Sequence, residues 1–230
     1  MEGHIVRTFD GEILTLRIRA LQMGGLALDQ VHCAVQALSS NDAPAAADVI
    51  ARHDQVVVYA RAIEDEIVGL IARRQPVASD LTTILSVSRV ATDLERVGTA
   101  ARKIARIAIG LGASPEGMPP ARFYSDVRRM SRLAHGMLRE ALDCFDRVDV
   151  QRAATFVAKD AEVDGEFQLG LRELLTYVME DPRRLGNVIQ TVFVIKSVER
   201  VGDHARNIAG MVSRLTPRET VSGATAGASR

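Results

Sequence analysis

Residues 93–105 and 197–209 of this chain carry the same run: Glu-Arg-Val-Gly, followed at matching distances by Ala-Arg and Ile-Ala. A chain that repeats itself in this way folds as two similar units. A shift of 107 residues extends the correspondence, pairing Met23 with Met130, Leu26 with Leu133, Asp42 with Asp149 and Val49 with Phe156. The shift falls to 106 at Pro76 and Pro182 and to 104 at Gly98 and Gly202, which confines the length changes to the stretch around the second turn. The copies differ where chemistry is at stake. The second carries Glu199 and Asp203, four residues apart, where the first carries Glu95 and Thr99. Like charges at that spacing on a helix repel by a few tenths of a kcal/mol unless a cation lies between them.

The apolar spacing makes each unit helical. Leu14, Ile18, Leu21, Leu28, Val31, Val35 and Leu38 step by threes, fours and one seven, an amphipathic helical stripe. The cap-type residues 39–42 end it, and Asp42 with Pro44 opens a second helix to about residue 74. Gln75 and Pro76 stop that one, and a third runs over about 79–109. The second copy predicts helices over about 122–146, 150–180 and 184–214. Aromatics make up only 4% of the residues and Trp is absent, which fits an all-α chain better than a sheet. The expected organisation is a first bundle over 1–111, a breaker-rich connector over 112–120, a second bundle over 121–216, and a small, polar, disordered tail over 217–230.

Twenty-nine basic residues balance 29 acidic ones, so no global field draws the chain to nucleic acid or an anionic membrane. Only three of the basic residues are Lys, at 103, 159 and 196, and the Arg excess reads mainly as compositional drift; it could also serve phosphate recognition, but nothing in the sequence localises it. The most apolar stretch, around 188–195, is broken by Gln190 and Thr191, far short of the ~20 residues that span a bilayer. Two isolated thiols, Cys33 and Cys144, fit a reducing cytoplasm, and the charged N-terminal stretch has no signal-peptide core. Membrane association is therefore expected only through partners.

Carrying the register onward exposes a second acidic pair, Asp160 and Asp164, whose counterparts in the first copy are His53 and Val57. If the second and third helices of a unit pack side by side, Asp160, Asp164, Glu199 and Asp203 face one another across two stripes. Carboxylates so gathered suit hard divalent cations such as Mg²⁺, Mn²⁺ or Fe²⁺. His204 would be a peripheral ligand. The bland alternative is a solvated acidic face neutralised by neighbours such as Arg200 and Arg206. A ferritin-type di-iron site needs two Glu-x-x-His pairs, and Asp29 with His32 is a lone near match. No phosphate-binding glycine loop, nucleophile elbow or reactive-cysteine setting is present.

With Arg74-Gln75-Pro76, Leu94-Glu95-Arg96-Val97-Gly98, Asp160 to Asp164, Met179-Glu180-Asp181-Pro182 and the run from Val198 to Ala209 all in order, the chain resembles the PhoU family over residues 8–214. The resemblance implies two similar three-helix bundles. It implies a cytoplasmic, non-catalytic negative regulator of the phosphate-starvation response, working with the ATPase subunit of a phosphate-specific ABC transporter and a PhoR-type sensor histidine kinase. A homodimer is expected. Members of the family can carry metal clusters, often iron or zinc, on paired acidic motifs, one cluster per bundle. Those motifs fall on Asp160 with Asp164 and on Glu199 with Asp203. In the first bundle they fall on His53 with Val57 and Glu95 with Thr99, so only His53 and Glu95 remain there as donors. Two other readings are a metal-dependent phosphohydrolase, in which the cluster would activate water, and a metal-free helical scaffold.

Overall fold

In the computed structural model the described residues are 2–114, 121–180 and 185–215, and they form seven helices and no strand. The long ones are α1 (Glu2–Ser40), α2 (Ala43–Arg74), α3 (Ala78–Gly112), α4 (Ala121–Arg147), α6 (Phe156–Glu180) and α7 (Leu185–Val212), with a single turn, α5 (Val150–Ala153), between α4 and α6. Helices α1 to α3 cover the first copy of the duplication and α4 to α7 the second. The expected tail over 217–230 and most of the connector lie outside the described residues.

The first turn of each unit is built alike. The Asp42 amide donates to Ala37 O at 2.9 Å and the Asp149 amide to Cys144 O at 3.0 Å, with Asn41 (φ 53°) and Val148 (φ 55°) in the left-handed region between them. This is the Schellman closure of a helix C-terminus. The same two aspartates then cap the next helix, Asp42 accepting from the Ala45 amide at 2.9 Å and Asp149 from the Arg152 amide at 3.0 Å.

Two expectations are corrected. The helix predicted over 150–180 is broken after one turn, because Thr155 Oγ1 donates to Arg152 O at 2.8 Å and its amide closes on the same carbonyl, diverting an acceptor that a continuous helix would use. The apolar stripe of α1 is also shifted. Leu14 and Ile18 are exposed, and the buried face runs Leu16, Ala20, Met23, Ala27, Val31, Ala34 and Leu38. Alanines supply much of that face because α1 is crossed closely: a Cβ on Gly24 would lie 2.6 Å from Leu142 Cδ2 of α4.

The units do not stand apart. Helix α1 packs on α4 and α3 packs on α7, so α1, α3, α4 and α7 form a central four-helix set, with α2 and α6 flanking it on their own units. One continuous core runs through both copies. Arg17 fastens the α1–α4 seam by donating from one guanidinium nitrogen to Phe145 O at 2.9 Å and Asp146 O at 2.7 Å, carbonyls of the last turn of α4. Among the described residues no helix is long and apolar enough to cross a membrane.

Candidate functional site

Helix α7 carries Glu199 and Asp203 and packs against α6, which carries Asp160 and Asp164, so the side-by-side arrangement the acidic pairs require is present. Asp160 falls on α6, but its side chain lies outside the described ones. The other three carboxylates have different surroundings. Asp164 is exposed. Glu199 is only 8% exposed; the ammonium of Lys196, one turn earlier, lies against its Oε2, which accepts no hydrogen bond. The Lys196 ammonium also stands 5.0 Å from the centre of the Phe167 ring on α6. Asp203 is half-buried and opens toward α3, with an Arg206 nitrogen at 3.9 Å. Among the described residues, no three His, Cys, Asp or Glu side chains stand together closely enough to hold a metal ion. Among the described residues the buried Glu199 charge is met by the Lys196 ammonium.

In the first unit the corresponding donors are arranged differently. His53 is 2% exposed, and its Nδ1 has no hydrogen-bond partner. Gln30, equally buried on α1, has an unpartnered Oε1. Both atoms point at Gly98, where an added Cβ would lie 3.3 Å from each and 3.2 Å from Val56 Cγ1. Gly98 is thus the point where α1 and α2 close onto α3. Burial, assisted by the nearby Arg102 charge, holds the His53 pKa below the ordinary imidazole value, so the ring is neutral. Glu95 is half-buried and takes no ion pair among the described residues. Val57 and Thr99 add no carboxylate, and the near match at Asp29 and His32 is spent elsewhere: Asp29 pairs with Arg52 at 2.7 Å, and the His32 ring lies 6.1 Å from that of His135.

The α3–α7 seam is the feature that spacing did not disclose. Asp93 Oδ1 of α3 lies 2.8 Å from His204 Nδ1 of α7 and accepts from Asn207 Nδ2 at 3.4 Å. His204 therefore ties the two copies together instead of reaching toward Asp164. A groove of about 540 Å³ runs beside this contact, and both Arg96 and Arg200, the arginines of the two Glu-Arg-Val-Gly runs, line it. The only sequence signal for it was the duplication itself, which places equivalent residues on equivalent helices.

A duplicated three-helix unit, fused through its first and third helices and carrying its acidic pairs on the flanking and third helices of the second copy, defines a tandem helical-bundle protein without an evident catalytic constellation among the described residues. The PhoU domain model matches it twice, over residues 20–108 and 127–212. The chain is 44% identical over 215 residues to the Phosphate-specific transport system accessory protein PhoU homolog of Pseudomonas aeruginosa, spanning 92% of this chain and 86% of that one. The crystal structure of PhoU from Pseudomonas aeruginosa superposes with a TM-score of 0.85 at 44% identity, covering 90% of this chain and 98% of that one. The phosphate transport system regulatory protein PhoU from Streptococcus pneumoniae superposes with a TM-score of 0.81 at 26% identity, over 90% and 96% of the two chains. The chain belongs to the PhoU family.

Proposed function

We propose that this protein is a cytoplasmic, non-catalytic accessory regulator of phosphate transport, which restrains the phosphate-starvation response by contacting both the ATPase subunit of a phosphate-specific ABC transporter and a PhoR-type sensor kinase. The observation that carries this reading is the match of both copies to the family model, together with a relative, 44% identical across most of its length, named as an accessory protein of that transport system. The helix faces left outside the central set, on α2 and α6, are available to the two partners, and a second copy of the chain is expected to complete a homodimer. Deleting the gene in its host should derepress phosphate-scavenging genes in phosphate-rich medium. Unchanged expression in that medium would refute the regulatory reading.

The same reading includes a metal at the second unit, on Asp160, Asp164, Glu199 and Asp203. It is supported by the buried Glu199 carboxylate, which among the described residues the Lys196 ammonium alone neutralises. Asp160, Asp164, Glu199 and Asp203 would hold a divalent cation, which would offset two of their four negative charges, Lys196 offsetting a third. The first unit, with His53 and Glu95 alone, should bind such an ion far more weakly. Purified protein should carry divalent iron, zinc, manganese or magnesium by elemental analysis, and the double variant Asp164→Ala with Asp203→Ala should lose most of it. Equal metal content in the two proteins would remove the site and leave a metal-free scaffold.

A further inference from the structure

The chain has equal numbers of basic and acidic residues, 29 of each, yet the groove along the α3–α7 seam is not neutral. Arg96 and Lys103 line it from α3, Arg200 and Arg206 from α7, and Asp203 is the one carboxylate among its lining residues. Asp203 is taken up in part by Arg206, at 3.9 Å. The Lys103 ammonium is held 4.5 Å from the centre of the Phe193 ring, a contact that orients the charge without cancelling it. Arg96 and Arg200 are both exposed and have neither an ion pair nor a hydrogen bond among the described residues. They are register equivalents, 104 residues apart, presented to one cleft by α3 of the first copy and α7 of the second.

Guanidinium groups offer a planar fork of donors matched to phosphoryl oxygens, and two of them facing a common cleft repel unless an anion lies between them. The Thr99 hydroxyl lines the same space and adds a neutral donor. At about 540 Å³ the groove falls within the ~300–1,000 Å³ usual for small-molecule sites, which is more room than one phosphate ion fills. The one aromatic ring among its lining residues is the His204 imidazole, which Asp93 engages at 2.8 Å, so no Phe, Tyr or Trp ring is offered there for a base to stack on.

We propose that the α3–α7 groove binds an oligophosphate chain, clamped by Arg96 from one wall and Arg200 from the other, with Lys103 and Arg206 neutralising its remaining charge. The site goes beyond the regulatory reading and requires neither the transporter nor the metal. Both a nucleoside triphosphate and inorganic oligophosphate carry this chemistry, and the titration separates them.

The test is calorimetric titration of the full chain in excess EDTA, which removes any metal-bridged binding through Asp203. Sodium tripolyphosphate should bind with one-to-one stoichiometry, inorganic phosphate at least tenfold more weakly, and adenosine not at all. Affinity should fall several-fold between about 50 and about 200 mM salt, as expected when exposed charges carry the contact. Equal affinity for ATP and tripolyphosphate would assign the site to the phosphate chain itself, and ATP binding more than tenfold tighter would assign it to nucleotides. Arg96→Gln with Arg200→Gln, both at exposed positions, should weaken tripolyphosphate binding at least tenfold with an unchanged melting temperature. Arg61→Gln with Arg172→Gln, exposed on other helices, should leave it within twofold. No tripolyphosphate binding in EDTA, undiminished binding in the groove variant, or an equal loss in the control variant would each overturn the proposal.

Discussion

At the scale of single residues, the most consequential side chain is one the register drew attention to for another reason. His53 stands where the second copy has Asp160, and the structure places it in the core with a neutral ring and an unpartnered Nδ1. Because its folded-state pKa lies below the ordinary value of about 6.5, the unfolded chain takes up a proton that the folded chain refuses. Stability should therefore be highest above that pH and fall as pH drops through about 6.5 toward 5, with a slope of at most about 1.4 kcal/mol per pH unit from this one group. Urea midpoints measured at pH 7.5 and pH 5 should diverge more for the native chain than for His53→Gln. The same divergence in both proteins would show that His53 is not the titrating group. The residue could be picked out from the repeat alone. Its neutrality could not, since that depends on Gln30, Val56 and Gly98 closing around it from three helices.

At the scale of elements, the two copies make the same turn with unequal materials. Asn41 occupies the left-handed position in the first copy and Val148 occupies it in the second, where a β-branched side chain clashes with its own backbone. Val148→Asn should relieve about 1–2 kcal/mol of strain at the expense of part of one half-buried valine's contacts, for a net gain of about 0.5–1 kcal/mol. Differential scanning calorimetry should register a rise in melting temperature of roughly 1–4 °C, and a fall would mean that the lost contacts outweigh the strain. The element plan was legible in advance because Asp42, Asp149, Pro44 and Pro76 are local signals whose physics acts within a few residues. The shifted face of α1 was not, because the choice between the Leu14–Ile18 side and the Leu16–Ala20 side is made by α3 and α4, and a stripe built on alanines does not stand out by hydrophobicity. The break after α5 was hidden for a similar reason: a threonine hydroxyl competing for one carbonyl leaves no mark in the periodicity.

At the scale of the whole molecule, the duplication announced two bundles but not how they join. Amphipathic spacing marks one face for the partners within a unit, whereas α1 and α3 bury residues against a second set of partners, α4 and α7, in the other copy. The acidic pairs were legible by register, and their helices do lie side by side. Their side chains were not, because Lys196 and the opening of Asp203 toward α3 are decided by the seam. That seam relates like to like. Near an axis relating two copies of one motif, each side chain looks across at its own counterpart, so any charge placed there is doubled instead of balanced. Arg96 and Arg200 still obey that symmetry, while Thr99 against Asp203 and Ala100 against His204 have abandoned it. The join thus keeps a surplus of positive charge that a seam between unrelated helices could have cancelled with a single glutamate.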